Sequence, residues 1–272
     1  MRQPPGFVPP GTGSPFYFRG LIYGEAKSGK TVFCSTWPAP LFIHTAMESG
    51  YDSFRFGQGH LFPFASIGAQ HHLWLQSEHK QGRRFSDDLR VWIEHLAELC
   101  AARRCPYQTV VLGAFNVMQQ LVISEGDDLF RDGQKGWGYV ASWTREVLAT
   151  LCALPLHVIF ECNAEVRNRD RSGNPAYFVP GLKGQGYGVL LAAVNAAMYQ
   201  EITAAGYTTF LSANPKALTN VRVPALWAPE PIINCSYDWF AERLGMPPIW
   251  AADPQHPRCR GVWPWPHPAA GR

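Results

Sequence analysis

Residues 24–31 read GEAKSGKT and match the pattern G-x-x-x-x-G-K-S/T in full. The chemistry of that pattern is phosphate binding. Gly24 and Gly29 let the backbone turn tightly, so the N–H groups of Glu25, Ala26, Lys27 and Ser28 point inward at phosphate oxygens. Lys30 reaches the outer phosphates, and the Thr31 hydroxyl is placed to hold Mg²⁺. A helix starting here adds its positive dipole end. The expected ligand is ATP with Mg²⁺. The flanks agree: Phe16–Tyr23 is an apolar, aromatic run of strand character, and Thr31–Thr36 leaves room for the first turns of a helix before Pro38 stops it.

Three other places hold candidates for phosphate chemistry. Glu48 lies just past the second strand candidate. There it could orient or deprotonate the water that attacks a γ-phosphate, and the plainer reading is a surface glutamate on a loop. The third strand candidate, Thr109–Ala114, lacks the acidic residue that supports Mg²⁺ in working NTPases. Gly113 stands there instead, and a glycine holds neither a metal nor its water shell. The fourth, HVIFECN at His157–Asn163, places Glu161 inside an apolar run. A buried carboxylate is costly unless paired or metal-bound. Glu161 therefore either supplies the missing charge to Mg²⁺ or pairs with an arginine such as Arg145 or Arg167. Asn163 would sense the γ-phosphate or cap the following turn. Lys30, Glu48, Glu161 and Asn163 form the candidate catalytic set, with Thr31 and Glu161 as metal ligands.

A glycine-rich, basic segment follows, AEVRNRDRSGNPAYFVPGLKGQGYG at 164–188. It interleaves Arg167, Arg169, Arg171 and Lys183 with Tyr177, Phe178 and Tyr187. Such a mixture fits a single-stranded nucleic acid, with cations tracking phosphates and rings stacking on bases. Glu165 and Asp170 dilute the charge, and a solvated loop or β-hairpin explains the same composition. The histidines show no metal-ligand spacing and receive no role.

These groups need strands to carry them. Leu41–Ala46, Thr109–Ala114, His157–Asn163, Ala197–Ile202 and Thr208–Ala213 are short apolar runs of the kind buried on both faces of a parallel sheet. Ser86-Asp87-Asp88 is placed to cap a helix with apolar positions Leu89, Trp92, Ile93, Leu96 and Leu99. A second helix runs from Trp137 through Val140, Thr144, Val147 and Leu151 until Pro155 ends it. Alternating strands and helices predict an α/β domain over 16–245, with a mainly parallel central sheet flanked by helices. In such sheets ligands bind at the carboxyl ends of the strands. Residues 1–15 read as a Pro/Gly-rich arm and 246–272 as a Pro/Trp-rich tail. Residues 51–85 are the least readable part, and Tyr51–His72 shows no clear period.

Bulk properties narrow the class. A chain of 272 residues with 46% hydrophobic and 17% charged residues buries a sizeable core and is not disordered. The net charge of +3 permits nucleic-acid binding without arguing for it. No apolar run spans a bilayer, and the N-terminus lacks a signal-peptide core. The seven cysteines form no C-x-x-C pair and read as reduced thiols of a cytoplasmic protein.

In order, the motifs resemble those of the phage RecA-like recombination ATPases of the Sak type, from about Tyr17 to Gly245. GEAKSGKT with TWPAPLFIHT is similar to that family's phosphate loop, short helix, proline and second strand. Glu48-Ser49-Gly50 resembles its Glu-Gly-Gly element, YQTVVLG its Walker B strand, and Gly136-Trp137-Gly138 its Trp-Gly helix start. LPLHVIFECN resembles its sensor strand, VPGLKGQGYG its Pro-x-Leu-x-Gly-Lys loop, and PEPIINCSYDWFAERLG its closing segment. The departures are Gly113 for the Walker B aspartate, Asn195 for the aspartate opening a late strand, and Arg222 as the remnant of a Lys-x-Arg element. The resemblance implies a RecA-like P-loop NTPase that binds ATP and Mg²⁺. It further implies action on single-stranded DNA in phage recombination or replication in the host cytoplasm, with weak hydrolysis. A homo-oligomer, and a protein partner for the Trp-rich tail, are compatible partners. The rival reading is a degenerate P-loop NTPase that serves as an assembly protein in a larger complex.

Overall fold

The computed structural model describes residues 16–45, 71–75 and 84–247, apart from Asp170, Asn174 and Ala213. The strands are β1 (Arg19–Gly24), β2 (Pro40–Thr45), β3 (His71–Leu75), β4 (Thr109–Leu112), β5 (His157–Arg169), β6 (Pro175–Pro180), β7 (Ala196–Thr203), β8 (Gly206–Phe210), β9 (Asn220–Val221) and β10 (Ile232–Ile233). The helices are α1 (Lys30–Ser35), α2 (Phe85–Ala101), α3 (Phe115–Leu129), α4 (Gly133–Ala153), α5 (Gly186–Ala193) and α6 (Tyr237–Leu244).

The sheet runs β10-β8-β7-β1-β5-β4-β2-β3. From β7 to β3 every neighbouring pair is parallel, and β8 and β10 add an antiparallel edge. The expected mainly parallel sheet is therefore present. Its central strands are buried on both faces, which is why Leu41–Ile43 of β2 and Val110–Leu112 of β4 are consecutive apolar residues rather than alternating ones. Along β1, Leu21 and Tyr23 enter a core shared with α2, α3, α4 and α5, whereas Ile22 enters a second core with α1 and α6. The period-two alternation of a strand separates these two layers. The second core is aromatic: Phe18 stacks on Trp37 at 5.0 Å, and Phe240 approaches both, at 4.9 and 5.4 Å.

Several elements differ from the sequence reading. Helix α3 is unforeseen, although its buried Phe115, Met118, Gln119, Val122, Glu125 and Gly126 follow helical spacing. Helix α2 begins at Phe85 without a side-chain cap, and Ser86 lies inside it. The Ser86 amide instead donates to the buried Glu125 carboxylate at 3.1 Å, so a residue from another helix satisfies that first-turn donor. Strand β5 runs past Asn163 to Arg169 and pairs antiparallel with β6, making the basic segment a β-hairpin. Strand β3 lies within 51–85, the least readable part of the sequence. Met246 is buried in the second core, and Pro247 O accepts the Tyr237 hydroxyl at 2.6 Å. Residues 1–15 and 248–272 lie outside the described residues.

Candidate phosphate site at the strand ends

Strand β1 sits between β5 and β7, and its last residue, Gly24, opens the loop leading into α1. Lys27 and Gly29 have φ of 67 and 88, left-handed values amid ordinary turn residues. Such alternation makes a concave row of backbone N–H groups, the geometry that cradles an anion. Gly29 is obligatory twice over. Its φ disfavours any side chain, and an added Cβ would overlap the Tyr207 ring on β8. A Cβ on Gly24 would overlap the carbonyl oxygen of Gln200 on β7. The loop is thus pressed against the β7–β8 hairpin, and only glycine permits that approach. Ser28 is buried, and its Oγ has no hydrogen-bond partner.

Lys30 is buried at 5% exposure. Its ammonium donates to Gly24 O at 3.1 Å and Glu25 O at 2.8 Å, so the charge lies inside the loop. Thr31 Oγ1 donates to Glu161 Oε1 at 2.9 Å. The strand register explains that contact. Ile22 lies opposite Glu161 and Gly24 opposite Asn163. Leu112 lies opposite Phe160, so Gly113 is level with Glu161, one strand farther from the loop. Val111 and Ile159 face the second core, and two residues on, positions 113 and 161 share that face. A carboxylate therefore stands beside the threonine at the height of the missing aspartate. Arg145, one suggested partner for Glu161, bonds Gln185 Oε1 at 2.8 Å, and Arg167 lies on the exposed hairpin. The loop concavity, the inward ammonium and the Thr31–Glu161 pair fit a magnesium-bound nucleoside polyphosphate.

Asn163 joins three elements. Its N–H donates to Asn116 Oδ1 at 2.9 Å, and its carbonyl accepts from Gly181 N–H at 2.8 Å. Gln119 in turn grips the Lys183 backbone through both amide atoms, at 2.7 and 3.2 Å. The first turns of α3 thus tie the middle of β5 to the loop after β6. The Asn163 carbonyl and amide are used in this linkage, which composition did not reveal. Glu48 lies outside the described residues.

The seven DNA candidates divide. Arg167, Arg169 and Arg171 are exposed, with Arg169 bonded to Gly173 O at 2.8 Å, and Tyr177 is half-buried on the hairpin. Lys183 forms an ion pair with Glu165 at 2.7 Å. Phe178 and Tyr187 pack against the main core, and Phe178 stacks on Tyr199 at 5.5 Å. These two rings are not free platforms, because strand and helix periodicity turns them inward. An exposed ring that the sequence reading did not assign to DNA lies close by. Trp137 packs against Gly184, whose φ is 58, and borders a cavity of about 520 Å³ also lined by Gln134, Arg145, Lys183 and Gln185. Asn195 is structural: it exchanges hydrogen bonds with the Arg19 backbone, and its carbonyl accepts Arg222 N–H. Arg222 donates to Ala192 O at 2.8 Å.

A family model described as an AAA domain matches residues 17–205. No curated protein matches the chain. Among solved structures, a KaiC-like protein from the hyperthermophilic archaeon Pyrococcus horikoshii OT3 is similar at 12% identity and a TM-score of 0.38, over 71% of this chain and 76% of that one. The strand order and the family match together give a RecA-like P-loop NTPase fold. Among the described residues no helix is long and apolar enough to cross a membrane.

Proposed function

The chain belongs to the AAA domain family of P-loop ATPase domains, and on that premise we propose that it binds Mg-ATP at residues 24–31. We propose further that it acts on single-stranded DNA in phage recombination or replication. The observation that carries nucleotide binding is the loop itself, with left-handed Lys27 and Gly29 and the Lys30 ammonium turned inward. A phosphate chain entering the loop would take over the contacts Lys30 now makes to Gly24 O and Glu25 O, exchanging neutral acceptors for charged ones. Thr31 and Glu161 would hold Mg²⁺, which supplies charge neutralisation at the phosphates. Glu161 keeps the Thr31 hydroxyl oriented. Asn163 lies opposite Gly24, where the loop opens, and would sense the terminal phosphate.

The DNA reading is supported by the exposed Arg167, Arg169 and Arg171 on one hairpin, and by the exposed Trp137 beside Arg145. An aromatic platform next to cations suits single strands, since every base has a face to stack. The Asn163–Gly181 and Gln119–Lys183 bonds connect that region to the phosphate loop, a route by which nucleotide would bias DNA affinity. The deciding experiment measures Mg-ATP binding by calorimetry and turnover with and without oligo-dT. Heat of binding with DNA-stimulated turnover is expected. Nucleotide binding with neither turnover nor DNA affinity would instead favour the assembly-protein reading, which Gly113 supports.

A further inference from the structure

Resting on the nucleotide reading of residues 24–31, we propose that Ile202 and Tyr207 form a ledge that holds the nucleobase of the bound nucleotide, and holds it by its face. Strand alternation places the pair. Met198 on β7 and Leu211 just past β8 are buried in the second core, whereas Tyr199 and Phe210 pack on the main core. Residues two apart along a strand share a face. Gln200 and Ile202 on β7, with Thr209 and Tyr207 on β8, therefore continue the α1 side of the sheet toward the hairpin tip. Gln200 pairs with Thr209, and Ile202 with Tyr207. The first pair is buried. The second emerges from the core, with Ile202 60% exposed and Tyr207 half-buried. Side chains directly opposite on paired strands touch, so the ring and the branched chain make one apolar surface.

That surface adjoins the phosphate loop. The Tyr207 ring lies against Gly29, and Gln200 O lies against Gly24 at the loop's other end. The β7–β8 hairpin thus flanks the loop along its length. The opposite flank is β5, because β1 lies between β5 and β7. On that flank Thr31 meets Glu161, the place for Mg²⁺ and the outer phosphates. A phosphate chain with its outer end toward β5 carries its nucleoside at the other end, toward β7 and β8.

A heterocyclic base is apolar over its faces and polar at its edges, which suits a ring beside an aliphatic chain. Ile202 offers no hydrogen-bonding side-chain atom, and Tyr207 offers only the hydroxyl at its rim. The Tyr207 backbone is already engaged: its N–H donates to Asn234 Oδ1 at 3.2 Å, and its carbonyl accepts Asn234 N–H at 2.6 Å. Those bonds hold the ring in place beside the loop. Contact with a base face does not read the base edge, so adenine and guanine are held alike. A site that hydrogen-bonds its ligand's edge discriminates far more strongly than an apolar one.

Calorimetry on the full chain with Mg-ATP, Mg-GTP and magnesium tripolyphosphate tests the ledge. ATP and GTP should bind within about tenfold of each other. Both should bind roughly 5- to 150-fold more tightly than tripolyphosphate, the worth of one stacked base. Tyr207→Phe should keep that advantage. Tyr207→Ala should lose most of it while tripolyphosphate affinity stays unchanged. Ile202→Ala, at an exposed position, should lower ATP affinity roughly 3- to 10-fold and again spare tripolyphosphate. Equal binding of ATP and tripolyphosphate by the wild type would overturn the ledge and leave the phosphate loop's role standing. Equal loss of both ligands in Tyr207→Ala would make the ring a support for Gly29 and overturn it too. GTP binding more than about a hundredfold weaker than ATP would overturn recognition by the face. Binding of none of the three would remove the nucleotide reading and the ledge together.

Discussion

Thr31 Oγ1 donates to Glu161 Oε1 at 2.9 Å, joining the phosphate loop to a residue 130 positions away in the chain. The contact places the buried carboxylate of β5 at the threonine expected to meet Mg²⁺. Glu161→Gln keeps an oxygen acceptor for Thr31 and removes the charge. ATP turnover should then fall roughly 10²-fold, the low end for a general acid–base or charge role, while ADP affinity changes little. Steady-state kinetics beside ADP calorimetry would check this. Unchanged turnover would make Glu161 purely structural.

Lys30→Ala removes an ammonium held inside the loop. Losing a charge-assisted hydrogen bond costs about 1.5–3 kcal/mol, so Mg-ATP affinity should drop roughly 10- to 150-fold. Isothermal titration at matched ionic strength measures it. The melting temperature without ligand should hardly move.

Gly29→Ala meets two obstacles, the φ of 88 and the Tyr207 ring. Left-handed backbone costs a non-glycine residue about 1–2 kcal/mol, and the overlap with Tyr207 adds to this. Gly29→Ala should therefore destabilise the fold and abolish nucleotide binding. Adding Tyr207→Ala should restore only the steric share. Urea unfolding of the two single variants and the double variant separates these contributions.

His157 is buried, and its Nδ1 accepts the Phe18 N–H at 3.0 Å. Burial lowers its pKa from 6.5 to about 3, assisted by the Arg19 charge. The unfolded chain thus takes up a proton below about 6.5 that the folded chain refuses until about 3. Stability is fully present above the unfolded pKa and falls with acidification through that window, by about 1.4 kcal/mol per pH unit. Denaturant unfolding from pH 7 to pH 4 should show this slope, and His157→Gln should flatten it. An equal slope in the variant would assign the pH dependence elsewhere.

The hairpin and the Trp137 region predict two kinds of DNA variant. Replacing Arg167, Arg169 and Arg171 together should weaken oligo-dT binding and flatten its salt dependence, because each lost phosphate contact releases less counterion. Trp137→Ala should cost about 1–3 kcal/mol of affinity with the salt slope nearly kept. Phe178→Ala should lower stability by roughly 2–3 kcal/mol, since that ring packs on the core. Fluorescence anisotropy at several salt concentrations distinguishes these outcomes. No binding by the wild type at low salt would defeat the DNA reading as a whole.

The phosphate loop, the short helix after it and the parallel strands were legible in the sequence, because each rests on local chemistry. Gly24, Gly29 and Lys30 fall in one short run, and β2 and β4 are each built on a short apolar run, Leu41–Ile43 and Val110–Leu112. Helix α3 carried a visible spacing at Phe115, Met118 and Val122, but Gln119 and Glu125 on its buried face hid it. Those two residues are buried because partners from distant elements satisfy them, the Lys183 backbone for one and Ser86 with Tyr139 for the other. The orientation of the hairpin rings was equally hidden. The bulged pairing of β5 with β6 decides that Phe178 turns inward while the arginines stay out. Composition named the residue types and the loop chemistry. The partner of Glu161 depended on β5 lying between β1 and β4, a strand order that no single segment encodes and that only packing of the whole sheet determines.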